Sequence, residues 1–117
     1  MNYVIIHAKK GIKKMNTYTI SSLLGNGETI TKIYNNNHLL HCEHAPAVES
    51  KYIKEWWVEG KQHRKDGPAV MINKPHYIRM EWWEDGVLHR IQKPAVIDSD
   101  GNLEYWENGI FLKKVDP

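Results

Sequence analysis

A tandem repeat limits this chain to a small set of folds. The segment EWWVEGKQHRKDGPAV, residues 55–70, returns as EWWEDGVLHRIQKPAV, residues 81–96. A weaker copy, YNNNHLLHCEHAPAV, lies at residues 34–48, and a truncated copy, EYWENGIFLKK, lies at residues 104–114. Repeats of this length each form one supersecondary unit that buries its apolar side against its neighbours. The chain is therefore predicted to form a single structural unit rather than several independent domains.

Each copy carries the signals of a β-hairpin. Glu59-Gly60, Asp85-Gly86 and Asn108-Gly109 are candidates for two-residue turns, because both central residues of such turns need positive φ. The matching turn of the first copy is Asn37-His38. Aromatic and β-branched residues, which suit strands, flank these turns. The predicted fold class is all-β: an antiparallel meander of repeated β-hairpins that forms a twisted, elongated sheet.

The turns also predict a cross-strand register for each hairpin. The second aromatic of a copy faces a residue five places later, giving the pairs Trp57–Gln62, Trp83–Leu88 and Trp106–Phe111. The first aromatic faces a histidine or a leucine, giving the pairs Tyr34–His41, Trp56–His63, Trp82–His89 and Tyr105–Leu112. The residue before each first aromatic faces the residue after that aromatic's partner, which gives the pairs Ile33–Cys42, Glu55–Arg64, Glu81–Arg90 and Glu104–Lys113. The three acid–base pairs are interpreted as fixing register, since exposed ion pairs contribute only about 0–1 kcal/mol each.

The repeat resembles a MORN repeat, in the variant with a Trp-Trp or Tyr-Trp pair, a turn glycine, His-Arg and Asp-Gly-Pro-Ala. Residues 55–70 fit this pattern at almost every position, whereas the third copy replaces the Asp-Gly segment with Ile91, Gln92 and Lys93. The resemblance implies an elongated β-meander with a binding role and no catalysis. It also implies a viral context, because proteins with this variant are common in tailed phages and giant viruses. The chain then divides into an N-terminal β cap, residues 1–31, and a MORN-like array of about three and a half repeats, residues 32–117.

The distribution of charge bears on the class of partner. Four lysines and no acid lie in residues 1–14, and the rest of the chain carries 12 basic and 14 acidic side chains. The segment KKGIKK, Lys9–Lys14, is interpreted as a basic tip of the cap, where it either contacts phosphate or an acidic protein or is simply solvated. The solvated interpretation is favoured. Because the repeats lack the basic stripe of a nucleic-acid binder, a protein partner is favoured over nucleic acid.

Cysteine usage and hydropathy indicate the compartment. Cys42 is the single cysteine, so no intramolecular disulfide can form, which fits a reducing environment. The apolar run at residues 3–6 is too short for a signal-peptide core or a membrane span. We therefore expect a cytoplasmic protein, in the host cytoplasm if it is viral, without a membrane partner. Met15 is an alternative start, although the first methionine is favoured.

The histidines and the cysteine are candidate metal ligands. His41, Cys42 and His44 lie at spacings that suit zinc, but neighbouring residues on a strand point to opposite faces. The prediction is therefore no metal site and no cofactor. His41, His63 and His89 recur once per repeat, as a packing residue does, and each is expected to stack on the aromatic opposite. No nucleophile, carboxylate dyad or phosphate loop accompanies them, so the chain is predicted not to be an enzyme.

The aromatic pairs divide between the two faces of the sheet. One face is predicted to be the core and carries Tyr34, Trp56, Ile78, Met80, Trp82, Leu103, Tyr105 and Leu112. The opposite face combines large aromatics with arginines, a composition enriched at binding hot spots. Its predicted partner-binding residues are Trp57, Trp83, Trp106, Arg64, Arg90, Leu88 and Phe111. The alternative, in which the sheet curls and buries part of both faces, is equally compatible with the sequence.

These observations predict a non-enzymatic protein-binding module. The resemblance suggests a small phage protein that binds and inhibits or recruits a host protein, such as a defence enzyme or a toxin. A homodimer is one way to cover the core face, since no helix is predicted to do so. Two alternatives stay open: a single-stranded nucleic-acid-binding module that stacks tryptophan and arginine on bases, and a structural scaffold protein of a virion.

Overall fold

The computed structural model of the protein describes the backbone of residues 4–9 and all atoms of residues 16–117. Residues 10–15, which hold most of the predicted basic tip and Met15, lie outside the described residues. The strands, in chain order, are β1 (Val4–Lys9), β2 (Thr17–Leu23), β3 (Thr29–Asn35), β4 (Val48–Glu49), β5 (Ile53–Glu55), β6 (Trp57–Val58), β7 (Lys61–Gln62), β8 (Val70–Lys74), β9 (Tyr77–Glu81), β10 (Trp83–Glu84), β11 (Val87–Leu88), β12 (Val96–Asp98), β13 (Leu103–Glu107) and β14 (Ile110–Val115).

Most of these strands belong to one antiparallel sheet. Its ten strands lie in the order β1-β2-β3-β4-β5-β8-β9-β12-β13-β14, which is a meander along the chain. The molecule is a thin plate of 44 × 35 × 17 Å. The predicted all-β class and meander of repeated hairpins are therefore confirmed. Among the described residues there is no helix of the length and apolarity that a membrane span requires.

The remaining strands form a second hydrogen-bonded ladder beside this sheet. Strands β6–β7 and β10–β11 are short hairpins that lie between sheet strands in the chain. Successive hairpins are joined through their backbones: Cys42 N–H donates to Trp57 O at 2.9 Å, and Arg64 N–H donates to Trp83 O at 3.1 Å. One repeat later, Arg90 N–H donates to Trp106 O at 3.0 Å. These two hairpins, together with the loop that follows β3 and the turn region of β13–β14, form what we call the hairpin ladder (residues 35–40, 57–62, 83–88 and 106–111).

In the second and third repeats, the first aromatic is the junction between the sheet and the hairpin ladder. Trp56 N–H donates to Ala69 O in the sheet at 2.7 Å, whereas Trp56 O accepts from His63 N–H in the hairpin at 3.0 Å. Trp82 makes the same two bonds one repeat later, at 2.8 and 3.0 Å. The chain therefore leaves the sheet at this residue and returns to it at the Pro-Ala-Val segment.

This junction overturns the predicted acid–base pairs. The predictions Glu55–Arg64, Glu81–Arg90 and Glu104–Lys113 are wrong. The Pro-Ala-Val strands take the positions beside the acids, so that Glu55 lies opposite Val48 and Val70. Glu81 likewise lies opposite Val70 and Val96. In the last repeat a bulge between Tyr105 and Trp106 shifts the register, and it creates the pairs Glu104–Lys114 and Tyr105–Lys113 in place of Glu104–Lys113 and Tyr105–Leu112.

The turns themselves follow the sequence closely. Glu59 and Gly60 have φ values of 48° and 79°, and the turns at Asp85-Gly86 and Asn108-Gly109 match them. The predicted pairs next to these turns, Trp57–Gln62, Trp83–Leu88 and Trp106–Phe111, are confirmed. Positive φ at both central residues gives the twist that a two-residue hairpin needs.

The loop of the first hairpin is one residue longer than the predicted two-residue turn. Tyr34 lies opposite Leu40, so the pairs Tyr34–His41 and Ile33–Cys42 are wrong. The loop has three residues and ends at His38, whose φ is 62°. The Asn35 side chain accepts hydrogen bonds from the N–H groups of residues 37 and 39 and so stabilises this longer loop.

The core lies at the Pro-Ala-Val segments rather than at the tryptophans. The buried apolar residues among those described are Ala47, Val48, Ala69, Val70, Ala95 and Val96. Two members of the predicted core face, Ile78 and Leu112, are 46% and 53% exposed. The tryptophans of both positions are half-buried. Small residues suit this place because three backbone segments meet there, as the junction hydrogen bonds show.

Candidate functional site

Arg64 stacks on the first tryptophan of its own repeat. Its guanidinium carbon lies 3.8 Å from the centroid of the Trp56 ring. The same guanidinium donates through Nη1 to Pro68 O at 3.0 Å and through Nε to Asp66 Oδ1 at 3.0 Å. A planar cation over an indole face is attracted by the ring quadrupole, and the two hydrogen bonds fix its orientation.

The stack recurs in the following repeats. Arg90 lies 3.8 Å from the Trp82 centroid and donates to Pro94 O at 3.1 Å. Burial lowers the pKa of Arg90 from its ordinary value, because desolvation disfavours the charged form. In the last repeat the ammonium nitrogen of Lys113 lies 4.5 Å from the Tyr105 centroid. In the second, third and last repeats, the cation thus lies against the first aromatic.

This placement differs from the prediction that grouped the arginines with the second tryptophans. Arg64 and Arg90 cover Trp56 and Trp82, whereas Trp57 and its equivalents contact the acids. The prediction assumed that strict alternation continues through the hairpin. Alternation ends at the junction residue, where the chain changes from one ladder to the other.

The second tryptophans donate their indole N–H groups to the acid two residues earlier. The bonds Trp57–Glu55, Trp83–Glu81 and Trp106–Glu104 measure 2.8, 2.8 and 2.9 Å. Trp106 also meets Phe111 edge to face at 5.2 Å, and Phe111 is 50% exposed. The acids therefore orient the tryptophans, and a partner at this surface would contact ring atoms rather than the N–H groups.

The recurring histidines join each hairpin to the next one. The Nδ1 atoms of His41, His63 and His89 accept hydrogen bonds from the N–H groups of Glu59, Asp85 and Asn108, at 3.0, 3.0 and 2.9 Å. Accepting at Nδ1 leaves the proton of a neutral imidazole on Nε2. The sequence predicted a structural role through stacking on the opposite aromatic; in the structure each histidine instead accepts a hydrogen bond from the following turn.

Two cavities lie between successive repeats, on the side of the arginine stacks. The first has a volume of about 530 Å³ and is lined by Trp56, His63 and Arg64. The second has about 490 Å³ and is lined by Trp82, His89 and Arg90, the equivalent residues one repeat later. Both cavities share the loop residues Arg64, Lys65 and Asp66. We call the two cavities together the repeat groove.

The spacing of the repeat groove follows from the sheet. Trp56 follows β5 and Trp82 follows β9, and these strands are two steps apart in the order β5-β8-β9. Neighbouring strands lie about 4.8 Å apart, so equivalent points of the two cavities are separated by roughly 10 Å. The groove therefore consists of two similar sites, one repeat apart.

Opposite charges are nearly balanced in the groove. In the first cavity, the acids Glu43 and Asp66 accompany the bases Arg64 and Lys65. In the second, Arg90 adds one base and Glu84 takes the place of Glu43. Ile91 is 59% exposed at the second cavity and adds an apolar wall. The groove thus suits a ligand of low net charge with some apolar surface.

Several groove residues were missed by reasoning from the sequence. Lys65, Asp66 and Ile91 lie in the segment before Pro-Ala-Val, which varies between copies while the surrounding positions repeat. That variation within a constant scaffold was the available signal. Of the predicted partner-binding residues, Arg64 and Arg90 line the groove, whereas Trp57, Trp83, Trp106, Leu88 and Phe111 do not line either cavity.

The cluster at residues 38–44 has no common centre in the structure. His38 Nδ1 bonds to the Tyr18 hydroxyl at 2.7 Å, and His41 Nδ1 bonds to the next hairpin. Glu43 and His44 line the first cavity. Within residues 16–117, no group of three or more His, Cys, Asp or Glu side chains is placed to hold a metal ion.

Comparisons of the chain with family models, with curated proteins and with solved structures find no match. The resemblance to MORN repeats and the viral context therefore rest on the repeat sequence alone. The structure by itself defines an all-β protein of stacked hairpins with a periodic groove.

Proposed function

We propose that the chain is a non-enzymatic protein-binding module. The observation that carries this proposal is the repeat groove, two open depressions of about 530 and 490 Å³ in which side chains of successive repeats lie together. Tryptophan and arginine lie together in both cavities, and these residues dominate binding energy at protein interfaces. The groove lies between repeats, so its shape depends on the array rather than on one hairpin.

The second tryptophans are proposed to form a second binding surface, because they alternate with Trp56, Val58, Trp82 and Glu84, which line the groove. Trp57, Trp83 and Trp106 are half-buried and held in fixed orientations by the acids. Rigid aromatic side chains lose little conformational entropy on binding. Leu88 and Phe111, which lie opposite two of these tryptophans, complete the proposed partner-binding set.

Charge favours a protein partner over nucleic acid. A groove for single-stranded nucleic acid combines stacking aromatics with a continuous cationic track along the phosphates. Here the acids Glu43, Asp66 and Glu84 lie among the arginines and the lysine. Carboxylates in the groove would repel a phosphate backbone, so this alternative is the weaker proposal.

The viral type of the resembling repeats extends the proposal to a biological role. In this role the chain is a small phage protein in the host cytoplasm. There it binds a host protein, such as a defence enzyme or a toxin, and inhibits or recruits it. This part of the proposal depends on the resemblance, whereas the binding role depends on the groove.

Affinity capture with matched variants tests the binding role. Immobilised wild-type protein is compared with Ile91→Asp, which alters the groove, and with Ile78→Asp, an exposed change that lines neither cavity. Proteins lost with Ile91→Asp but retained with Ile78→Asp are identified by mass spectrometry, and their affinities are then measured with purified partner.

Three outcomes of this capture contradict the proposal. A bound component that nuclease removes, and whose affinity falls steeply with salt, identifies a nucleic-acid-binding module. Regular self-assembly of the purified chain, seen by light scattering, identifies a structural protein. Equal capture by wild type and Ile91→Asp places the binding surface elsewhere. A homodimer, visible as a doubled mass in light scattering, is compatible with the proposal if the groove stays open.

A further inference from the structure

The last strand of the sheet has the features of a binding edge. We propose that β14 accepts an extended segment of a partner protein as an additional antiparallel strand, and that this segment carries both apolar residues and carboxylates. The proposal rests on the proposed protein-binding function, since Phe111 belongs to the proposed partner-binding set, and it names the chemistry of the partner there. It concerns a different part of the molecule from the repeat groove and depends on none of the groove contacts.

The edge of β14 is open in the described part of the chain. β14 is the last strand in the order of the ten-stranded sheet, and β13 is its one neighbour among the described strands. All six of its residues are exposed, and Ile110, Phe111 and Leu112 are 64, 50 and 53% exposed. Such an edge presents a row of backbone N–H and C=O groups with which a further strand can pair.

The backbone groups of Phe111 point towards this open side. The two residues that flank the Asn108-Gly109 turn form a hydrogen-bonded pair, so the next pair, Trp106–Phe111, is one without mutual hydrogen bonds. The equivalent residues of earlier repeats show the same direction, because Gln62 O and Leu88 O each accept a glycine N–H of the following hairpin at 2.9 Å. Phe111 is therefore oriented to exchange hydrogen bonds with an incoming strand.

A further hairpin of the same kind does not fit this edge. In three repeats a histidine Nδ1 accepts an N–H of the following turn, at 3.0, 3.0 and 2.9 Å. Leu112 stands at that position in the last repeat, so a turn placed there would lose its acceptor. An extended strand needs no side-chain acceptor, because its N–H groups bond to the backbone of its neighbour. Leu112 instead offers apolar contact to such a strand.

The lysines of β14 determine what the incoming strand must carry. The strand holds Lys113 and Lys114 and no acid. Two copies of β14 paired antiparallel over their full length would gather the lysines of both copies at the centre, and like charges across a sheet destabilise pairing. Edge lysines disfavour such self-pairing. A different chain with carboxylates opposite the lysines gains opposite-charge pairs instead.

The neighbours of these lysines leave room for a competing carboxylate. The ammonium of Lys113 lies 4.5 Å from the Tyr105 ring centroid, and this contact involves no acid. The ion pair of Lys114 with Asp116 measures 3.4 Å, and both side chains are exposed. Exposed pairs contribute only about 0–1 kcal/mol. Both lysines can therefore pair with acids of a partner strand.

The direction of the sheet predicts the order of residues in the partner. Every strand pair described in this sheet is antiparallel. An antiparallel strand meets Val115 first, then the two lysines, and then the apolar residues 110–112. The expected segment therefore reads, from its amino end, one apolar residue, two acids, and a run of apolar or β-branched residues.

Nuclear magnetic resonance titration of the isotope-labelled full chain tests the proposal. The probe is the hexapeptide Val-Glu-Glu-Val-Thr-Val, and its matched control is the reversed sequence, which has the same composition and charge. We expect the probe to shift the amide signals of residues 110–115 and to slow hydrogen exchange at the Phe111 amide. The reversed peptide should bind about fivefold more weakly or worse, because its acids then meet the apolar end of the strand.

Two variants of one residue separate backbone pairing from side-chain contact. Phe111→Pro removes the outward N–H, whereas Phe111→Ala keeps it, and both remove the ring. Proline is accepted on an edge strand where the N–H faces solvent, and circular dichroism with thermal unfolding establishes that both variants are folded. We expect Phe111→Pro to bind the probe roughly threefold to tenfold more weakly than Phe111→Ala, which is the effect of one lost hydrogen bond.

A second pair of variants tests the charge. Lys113→Gln should weaken binding of the probe about twofold to fivefold. Lys54→Gln makes the same change of charge five strand-to-strand steps away in the sheet and should leave the affinity unchanged. If Phe111→Pro does not fold, this pair of variants and the pair of peptides decide the outcome.

Several results overturn the proposal. These are equal binding of the two peptides, no binding of the probe at about 1 mM, equal affinity of folded Phe111→Pro and Phe111→Ala, and signal changes confined to the groove. A doubled mass in light scattering that Phe111→Pro returns to that of one chain assigns the edge to a second copy, and this also overturns it.

The edge and the groove fail separately. If the probe does not bind but Ile91→Asp still abolishes capture of a folded protein, the proposal for β14 is wrong and the function proposed for the groove stands. If the probe binds at β14 while capture is the same for wild type and Ile91→Asp, the groove is wrong and the edge stands.

Discussion

Removal of one histidine acceptor tests the connection between successive hairpins. His63 Nδ1 accepts the N–H of Asp85, which begins the positive-φ turn of the next repeat. His63→Leu deletes this acceptor, and leucine already occupies the equivalent position in the last repeat, at Leu112. A typical hydrogen bond contributes about 0.5–1.5 kcal/mol to stability. Because Asp85 is exposed and water can replace part of the bond, we expect a loss near the middle of that range, about 1 kcal/mol.

Two measurements check this loss at different levels. Chemical denaturation should show the free energy of unfolding lowered by about 1 kcal/mol, with an unchanged slope. Amide hydrogen exchange should show faster exchange specifically at Asp85, because its N–H loses its partner. His63→Asn is the matched rescue, since the Asn side-chain oxygen can take the place of Nδ1 and accept the same bond. Unchanged exchange at Asp85 in His63→Leu, or an equal loss in His63→Asn, would refute the role assigned to the histidine.

Three further perturbations test the core, the acid response and the cation stack. Ala95→Leu overfills a site that is 0% exposed and should lower the free energy of unfolding by about 1–3 kcal/mol, while Ala45→Leu at an exposed position should leave the denaturation midpoint nearly unchanged. Hydrogen bonds from Asn102 lower the pKa of Asp98 below its ordinary value of 3.8. The charged form is thus favoured in the fold, and its contribution is present above about pH 4 and lost as the pH falls through the folded-state pKa. Asp98→Asn should therefore flatten this acid limb when unfolding is measured from pH 7 to pH 2. Arg90→Ala removes the guanidinium from its indole ring and should cost about 0.5–2 kcal/mol; an unchanged denaturation midpoint would show the stack to be energetically neutral.

The turns and the strand class could be predicted from the sequence because their causes are local. Positive φ at Gly60 and its equivalents is a property of two adjacent residues, and the pairs beside each turn follow from it. The bulge near Tyr105 and the three-residue loop at Asn35 shifted the register by one. Both depend on side-chain hydrogen bonds or strand irregularities that the repeat pattern does not record.

The positions of the arginines could not be predicted because their cause is non-local. The hairpin pattern alone places Arg64 opposite Glu55. In the structure the N–H of Trp56 bonds to Ala69, a residue of the returning strand, and this bond draws the chain out of the hairpin. Whether the chain continues in the hairpin or passes into the sheet depends on which carbonyl oxygens accept bonds from its N–H groups. A single repeat does not contain that information.

The groove was missed for a related reason. Its walls come from residues of two successive repeats, and the shared loop of Lys65 and Asp66 serves both cavities. Each copy taken alone shows only a loop before a proline. The predicted hot-spot composition of tryptophan and arginine is present, but the tryptophans that line the groove are Trp56 and Trp82 rather than Trp57 and Trp83.

The junction residues also determine where the chain tolerates a change of length. Trp56 and Trp82 each bond to the sheet through their N–H groups and to the hairpin ladder through their carbonyl oxygens. The register between the sheet and the hairpin ladder is therefore fixed separately in each of these repeats. A difference in length is therefore confined to the connections on the far side of the sheet, such as the turn between β8 and β9. The spacings of 22, 26 and 23 residues between successive first aromatics fit this arrangement. An affinity tag or a fluorophore inserted at His76, in that turn, would leave the groove and its period intact.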